Sequence, residues 1–301
     1  MYQKSFKQAS LWGLLGWTIL AFIGVTILSM ILLLSFSPDH FPFVRIISDS
    51  LLYFLIYKIV TAQMKKKSLS IEAAARSTPK VGRELLRISG WTLLVAIVAT
   101  SFSVFLLTVV SFIPNIFDRL IPYLEQISME GGLSTAYILI IAVIVAPIVE
   151  EVVFRGYIMN KWIDKYSVKT GIILSSLLFM LIHFSSLFIP QLLLGLLCGL
   201  VYVKYKNLFY AIFTHSLYNL LVVLPALLLP NDGNEESAIQ SLLELSEGLP
   251  LDFIIFSGVF IVGLFVLIYL FVKLFRSIKS TQSPYADNLE ALEEVEKTAT
   301  Y

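Results

Sequence analysis

The feature that most constrains this 301-residue chain is a series of long apolar blocks that are almost free of charge. The block from Leu11 to Phe36, for example, contains no charged residue. A helix needs about 20 consecutive apolar residues to cross the hydrocarbon core of a bilayer. Only 14% of the residues are charged, against about 25% in ordinary soluble domains. The chain is therefore predicted to be an all-α, polytopic membrane protein.

About eight segments are predicted to span the membrane. Lys4 and Lys7 precede the first block, which is too long for the core of a signal peptide, so we expect a retained first helix. The predicted segments are residues 11–36, 46–63, 89–113, 135–158, 171–188, 190–204, 207–229 and 252–274.

The charges in the connecting loops alternate in sign along the chain. Basic residues follow every second segment, within residues 64–88, 155–169, 204–206 and 273–279. The loops at 114–134 and 230–252 are mostly acidic. Because cytoplasmic loops collect Lys and Arg, this pattern predicts a multi-pass protein of the cell membrane with both termini in the cytoplasm.

The chain is predicted to consist of four regions, without an internal repeat. Residues 1–134 hold the N-terminal transmembrane helices and a long basic cytoplasmic loop. Residues 135–229 contain the intramembrane polar motifs and form the predicted catalytic core. Residues 230–280 form an acidic outer loop and the last transmembrane helix. Residues 281–301 are polar and acidic, and are predicted to be a flexible cytoplasmic tail with a short helix around Leu289–Val295.

Two adjacent acids lie within the fourth apolar segment, Glu150 and Glu151, followed by Arg155. A charged group inside a bilayer costs several kcal/mol and persists mainly where it faces a partner or a cavity. Glu151 and Arg155 are four residues apart, so they share one face of a helix and can pair. Glu150 points about 100° away from Glu151. One carboxylate can thus be held by arginine while the other faces a cavity.

Two histidines and an asparagine also lie within apolar segments. His183 is in the fifth, and His215 and Asn219 share one face of the seventh because they are four residues apart. Taken singly, a pair such as Glu151–Arg155 is more often structural, and a membrane histidine is often an interhelical hydrogen bonder. Taken together with Glu150, these side chains supply a base, a base partner and oxyanion donors, which favours a hydrolase site. Gln191 has no assigned role beyond hydrogen bonding.

These three blocks, in this order and on apolar helices, resemble the three motifs of the CPBP family. That family contains the CAAX prenyl proteases and related bacterial proteins, also called Abi, linked to bacteriocin processing and self-immunity. The resemblance covers roughly residues 135–225 and implies an all-helical intramembrane glutamate-dependent endopeptidase. It gives Glu151 and Arg155 a supporting role. The matching blocks are Glu150-Glu151-x-x-x-Arg155, Phe179-x-x-x-His183 and His215-x-x-x-Asn219.

The resemblance also implies the role of each catalytic residue. Glu150 with His183 would activate the attacking water, and His215 with Asn219 would stabilise the oxyanion that develops on the scissile carbonyl. No cofactor and no metal are expected. The expected partners are a peptide or protein substrate and membrane lipids, and no nucleic acid. The substrate would be a bacteriocin or other peptide precursor, or a CAAX-type protein.

Three alternative functions stay open at this point. One is a catalytically dispensable membrane scaffold that regulates a sensor or a cell-envelope partner, which would add a membrane protein to the partners. Another is a zinc-dependent membrane protease, since His and Glu side chains are zinc ligands. A transporter is disfavoured, because the intramembrane charges cluster in one place and no repeat is visible.

Overall fold

The structure, a computed structural model, describes residues 5–37, 40–75, 82–111, 113, 137–183, 188–228 and 249–299. The acidic loops predicted at 114–134 and across most of 230–252 lie outside the described residues. The described part of the chain is helical, without strands. The helices are α1 (Leu11–Ser35), α2 (Phe41–Lys65), α3 (Ile71–Ala74), α4 (Arg83–Ser111), α5 (138–165), α6 (Val168–Ile182), α7 (Phe188–Tyr205), α8 (Leu208–Leu228), α9 (Leu249–Ser277) and α10 (Pro284–Ala299).

The eight predicted apolar segments all coincide with helices, which confirms the all-α, polytopic fold. Five helices are long and apolar enough to cross a bilayer: α1, α4, α7, α8 and α9. Helix α6 is apolar but has only 15 residues, and α2 and α5 carry charged side chains along their length. The number of eight spans therefore stays a prediction.

Helix α5 changes its winding along its length. It runs as a π-helix over Ile138–Val145, as an α-helix over Ala146–Glu151, as a π-helix over Val152–Met159 and as an α-helix over Asn160–Lys165. Pro147, which lacks a backbone donor, lies at the first of these junctions. The two acids thus lie in the short α-helical stretch, and π-helical turns of this kind are common at functional sites.

A close approach of α6 and α7 depends on two glycines. A Cβ atom on Gly195 would come within 3.1 Å of the Cα atom of Ser176, and one on Gly199 within 3.1 Å of Ile172 Cγ2. Small residues let helix backbones approach closely in membranes, where packing rather than water drives association. The Gly195 carbonyl is thereby brought within reach of α5, where Arg155 binds it.

The N-terminal segment around Phe6 contacts the C-terminal helix α10 on one side of the helix bundle. The Phe6 and Tyr285 rings contact each other edge-on, with centroids 4.9 Å apart. The Asn288 amide donates to the Ala73 carbonyl at 2.7 Å and to the Lys206 carbonyl at 2.8 Å. An N-terminal segment and a C-terminal helix on the same side are what an even number of spans requires.

The prediction of a flexible tail is wrong for residues 284–299. Helix α10 packs on the bundle through Tyr285, Asn288 and Leu289, all of which are buried. These residues recur at helical spacing, Asp287 pairs with Lys206 of the bundle at 2.8 Å, and Glu290 and Glu294 are exposed. The short helix expected around Leu289–Val295 lies within α10, which is longer and packed on the bundle.

We predict that Asn288→Ala loosens α10. The change leaves two backbone carbonyls without their donor, and each buried unpaired acceptor costs about 1–3 kcal/mol. Limited trypsin digestion in detergent should then release the C-terminal segment faster than in the wild type. Glu290→Ala removes an exposed contact with Gln282 and serves as the control. Equal digestion rates for the two variants would contradict the docked helix.

Candidate active site

A fully buried ion pair on α5 forms the base of the candidate site. Arg155 Nη1 donates to Glu151 Oε1 at 2.8 Å, and neither side chain has any exposed surface. Arg155 Nη2 donates to the Gly195 carbonyl at 2.7 Å. The predicted pairing of these two residues is confirmed, and the arginine also ties α5 to α7.

The guanidinium of Arg155 also lies over aromatic rings. Its Cζ atom is 5.1 Å from the centroid of the Phe179 ring and 5.9 Å from that of Phe154. Such cation–π contacts are worth up to about 2 kcal/mol when the cation is desolvated. Phe179 lies one helical turn before His183 and touches its ring. The aromatic residue of the second motif thus supports the ion pair and the histidine together.

His215 is held by the same carboxylate that binds Arg155. Its Nδ1 atom lies 2.9 Å from Glu151 Oε1, and the imidazole is buried. This oxygen already accepts a hydrogen bond from Arg155, and an oxygen that accepts from the guanidinium accepts from Nδ1 as well, so we place the hydrogen on Nδ1. The other ring nitrogen, Nε2, then points at Glu150, with 3.9 Å between Nε2 and Oε2. A carboxylate behind one nitrogen fixes both the orientation and the tautomer of the ring.

His183 is oriented by a backbone carbonyl. Its Nδ1 atom lies 2.8 Å from the Phe179 oxygen. A carbonyl oxygen can only accept, so this nitrogen carries a hydrogen. Its Nε2 atom faces Glu150 Oε2 across 3.5 Å. In the neutral imidazole these two atoms are both acceptors, and the contact is favourable when a proton or a water hydrogen lies between them.

Glu150 differs from its neighbour in its surroundings. Its side chain is 15% exposed, whereas that of Glu151 is fully buried. One oxygen, Oε2, faces the two imidazoles, and the other, Oε1, accepts a hydrogen bond from the Tyr53 hydroxyl at 3.1 Å. The prediction that the two acids point to different surroundings is thus confirmed. Of the two carboxylates, Glu150 is the one with exposed surface.

Asn219 is displaced from this group by one helical turn. Its Nδ2 atom donates to the Ala142 carbonyl of α5 at 2.7 Å. It shares the α5-facing side of α8 with His215, as its spacing predicted, and it lines a cavity. The structure therefore brings together Glu150, His183 and His215, and places Asn219 beside them.

Helix α2 supplies side chains that the sequence analysis did not single out. Tyr53 contacts Glu150, and Asp49, one turn away, accepts a hydrogen bond from the Tyr137 hydroxyl. Arg45 lies another turn away, with its Nε atom 4.0 Å from Asp49 Oδ2. Arg45, Asp49 and Tyr53 are spaced by four residues, with Asp49 inside the predicted span 46–63 and Arg45 just before it. This spacing is the signal that could have revealed the polar face.

The zinc alternative requires side chains that converge as metal ligands. Among the residues that the structure describes, no group of three or more His, Cys, Asp or Glu side chains is arranged to hold a metal ion.

We predict that Arg155→Met strongly destabilises the protein, because it leaves the Glu151 carboxylate buried without its cation. Removing one partner of a buried pair typically costs about 3–5 kcal/mol, whereas neutral replacement of both partners is much milder. The thermal midpoint in detergent should fall for Arg155→Met and recover in part in the Glu151→Gln/Arg155→Met double variant. Equal midpoints for the single variant and the wild type would contradict the role of the pair.

Comparisons with known proteins bear on the same part of the chain. Residues 132–221 match the family described as type II CAAX prenyl endopeptidase Rce1-like. The chain is 37% identical over 79 residues to UPF0177 protein YxdF and 33% identical over 98 residues to UPF0177 protein YbdI, both of Lactococcus lactis subsp. lactis (strain IL1403). No solved structure matches this chain significantly.

The matches to the curated relatives are partial. They cover 26% and 32% of this chain, and 43% and 52% of the two relatives. The chain therefore spans about half the length of the curated relatives that it matches. The family match includes every predicted site residue from Glu150 to Asn219, and excludes Tyr53. The family resemblance of the three motifs is thereby confirmed over residues 132–221, which match the Rce1-like CAAX prenyl endopeptidase family.

Proposed function

We propose that this protein is an intramembrane endopeptidase in which Glu150, with His183, activates water for attack on a peptide bond. The observation that carries this proposal is the convergence of two imidazole Nε2 atoms on one carboxylate oxygen, Glu150 Oε2, at 3.5 and 3.9 Å. Glu150 Oε2 and His183 Nε2 are both acceptors when the His183 ring is neutral, whereas His215 is assigned to the oxyanion. A water molecule that donates hydrogens to such a group is polarised as a nucleophile.

Tyr53 determines which oxygen of Glu150 accepts the proton of the attacking water. Its hydroxyl donates to Oε1, so Oε2 is left to take the proton of the attacking water. As the water oxygen bonds to the scissile carbonyl carbon, that proton passes to Glu150, and the carbonyl oxygen becomes an oxyanion. The proton then passes to the leaving nitrogen as the C–N bond breaks, directly or through His183. General base catalysis of this kind contributes about 10²- to 10⁴-fold.

The oxyanion is assigned to His215 and Asn219. With Nδ1 bonded to Glu151, a His215 ring that carries a hydrogen on each nitrogen can donate from Nε2 to the oxyanion. Arg155 donates to the same oxygen of Glu151 and holds that carboxylate in place. Asn219 uses one amide hydrogen on Ala142 and has a second one to donate. Preorganised donors of this type are worth about 3–4 kcal/mol each.

The proposal extends to the class of substrate and to the location of the protein in the cell. We assign a peptide or protein substrate reached within the membrane, as in bacteriocin or peptide processing, self-immunity or CAAX-type processing. The basic loops support a cell-membrane location with both termini in the cytoplasm, and the contact of Phe6 with Tyr285 agrees with that proposal. The family match at 132–221 supports a catalytic core over residues 135–229.

The decisive variant is Glu150→Gln, which keeps the shape of the side chain and removes the base. Purified protein in detergent should cleave members of a peptide library, and Glu150→Gln and His183→Ala should lower kcat by about 10²-fold or more. Glu72→Gln changes an exposed acid on α3 and should leave cleavage unchanged.

Each reaction is run with and without a chelator, which separates the alternatives. Cleavage that survives chelation supports water activation by the carboxylate. Cleavage lost on chelation and restored by zinc would establish the zinc protease instead. The scaffold is supported by a different result. In that case the wild type cleaves no peptide, and Glu150→Gln restores the growth or stress phenotype of a strain that lacks the protein as fully as the wild type does.

We further predict that Tyr53→Phe lowers kcat about tenfold or more with little change in KM or thermal midpoint. The variant loses a hydrogen bond to a carboxylate, and bonds to charged groups are worth about 1.5–3 kcal/mol. Tyr57→Phe, one turn further along α2, is the matched control. Activity of Tyr53→Phe equal to that of Tyr57→Phe would show that this contact does not position the base.

A further inference from the structure

A cavity of about 490 Å³ lies between helices α1 and α2, and no candidate active-site residue lines it. Its volume falls within the range of roughly 300–1,000 Å³ that is usual for pockets that hold small molecules. Neither helix belongs to the family match at 132–221, so the proposed catalytic core does not explain this cavity. The described residues that line it are Trp17 of α1 and Ile59, Ala62, Gln63, Lys65 and Lys66 of α2.

The polar groups that line this cavity have no partner in the described part of the chain. Among the residues that the structure describes, none forms an ion pair with Lys65 or Lys66, and none hydrogen-bonds to the side-chain amide of Gln63. The described lining includes no acidic side chain either. Two ammonium groups and an amide donor therefore border one space, and this combination favours an anion.

The cavity changes from charged to apolar along the helix axes. A Cβ atom on Gly13 would lie 3.3 Å from Gln63 Nε2, so the start of α1 is level with the end of α2 and the two helices run antiparallel. Trp17 lies four residues, or about 6 Å, further along α1 than Gly13, on the side away from the lysines. A phospholipid has the same gradient, from a charged headgroup to an acyl chain.

The cavity also lies at the level expected for the surface of a membrane. Helix α1 is long and apolar enough to cross a bilayer, and it carries the exposed rings of Trp12 and Trp17 in its first two turns. Tryptophan is enriched where headgroups meet hydrocarbon. The consecutive lysines 65–67 lie at the end of α2 and begin the loop that is predicted to be cytoplasmic. The cytoplasmic leaflet is the one whose anionic lipids attract basic segments next to the membrane.

We propose that the cavity between α1 and α2 is a binding site for an anionic phospholipid. Lys65 and Lys66 bind the phosphate of its headgroup, Gln63 donates a hydrogen bond to one of its oxygens, and an acyl chain lies along Trp17 and Ile59. Basic pockets between membrane helices on the cytoplasmic side are suited to lipid headgroups. The site is separate from the candidate active site, so lipid binding there does not depend on the proposed peptidase function.

The test measures quenching of Trp17 fluorescence by brominated lipids. The protein is reconstituted in bilayers of phosphatidylcholine and phosphatidylglycerol, with bromine on the acyl chains of one lipid or the other. Subtracting the signal of Trp17→Phe isolates Trp17 from the four tryptophans of the chain. Brominated phosphatidylglycerol should quench Trp17 at a mole fraction about 5- to 25-fold lower than brominated phosphatidylcholine does, because each nearby lysine contributes about fivefold to binding.

Three variants locate the preference. Lys65→Gln/Lys66→Gln changes exposed side chains and should abolish the preference for phosphatidylglycerol. Gln63→Leu should weaken it about two- to tenfold, as expected for one lost hydrogen bond. Lys204→Gln/Lys279→Gln is the matched control, because it removes two exposed lysines that line a different cavity, and it should behave as the wild type does.

Each contrary result overturns the proposal in a different way. Equal quenching by the two brominated lipids would mean that any bilayer lipid fills the cavity. Loss of the preference in both lysine pairs would assign it to the overall surface charge, and its persistence in Lys65→Gln/Lys66→Gln would exclude these lysines. Loss of quenching when glycerol phosphate is added in excess would identify a site for a soluble phosphate compound. Peptide cleavage enters none of these measurements, so they do not test the peptidase function.

Discussion

The buried pair of Glu151 and Arg155 is the interaction on which the arrangement of the core depends. Each charge would cost several kcal/mol if it were buried alone. The pair is compensated from three other helices: the Gly195 carbonyl on α7 accepts from Arg155, the Phe179 ring on α6 lies beneath its guanidinium, and His215 on α8 bonds to Glu151. Because each partner satisfies part of one buried charge, a shift of any of these helices would leave that charge exposed to hydrocarbon. The ion pair therefore fixes α6, α7 and α8 relative to α5.

This arrangement gives two adjacent carboxylates different chemistry. Successive residues of a helix point about 100° apart, so Glu150 and Glu151 face different neighbours although their backbones are contiguous. Glu151 accepts from a guanidinium and an imidazole and is fully buried. Glu150 keeps 15% of its side chain exposed and has an oxygen directed at the imidazoles of His183 and His215. The first carboxylate is suited to holding a histidine, and the second to accepting a proton from water.

The sequence predicts local features of this protein much better than distant ones. Apolar block length predicts the positions of the main helices, and the spacing of four residues predicts the contact between Glu151 and Arg155. The contact of Tyr53 with Glu150 joins residues 97 positions apart, and no local pattern specifies it, because it depends on how α2 packs against α5. Asn288 illustrates the same limit, since its helical spacing could have indicated a buried face, but its partners Ala73 and Lys206 are set by tertiary packing.

The packing of helix α2 against α5 bears on the direction from which a substrate could reach the proposed active site. It lies outside the family match at 132–221, yet it closes one side of α5 through the contacts of Tyr53 with Glu150 and of Asp49 with Tyr137. On another side, Arg155 ties α5 to α7. The side of α5 around Ala142 is different, because there it borders the cavity that α4 and α8 also line. If the proposed function holds, a peptide that approached from α2 would have to break two hydrogen bonds, one of which holds the proposed base in place. An approach from the side of Asn219 would leave both bonds intact.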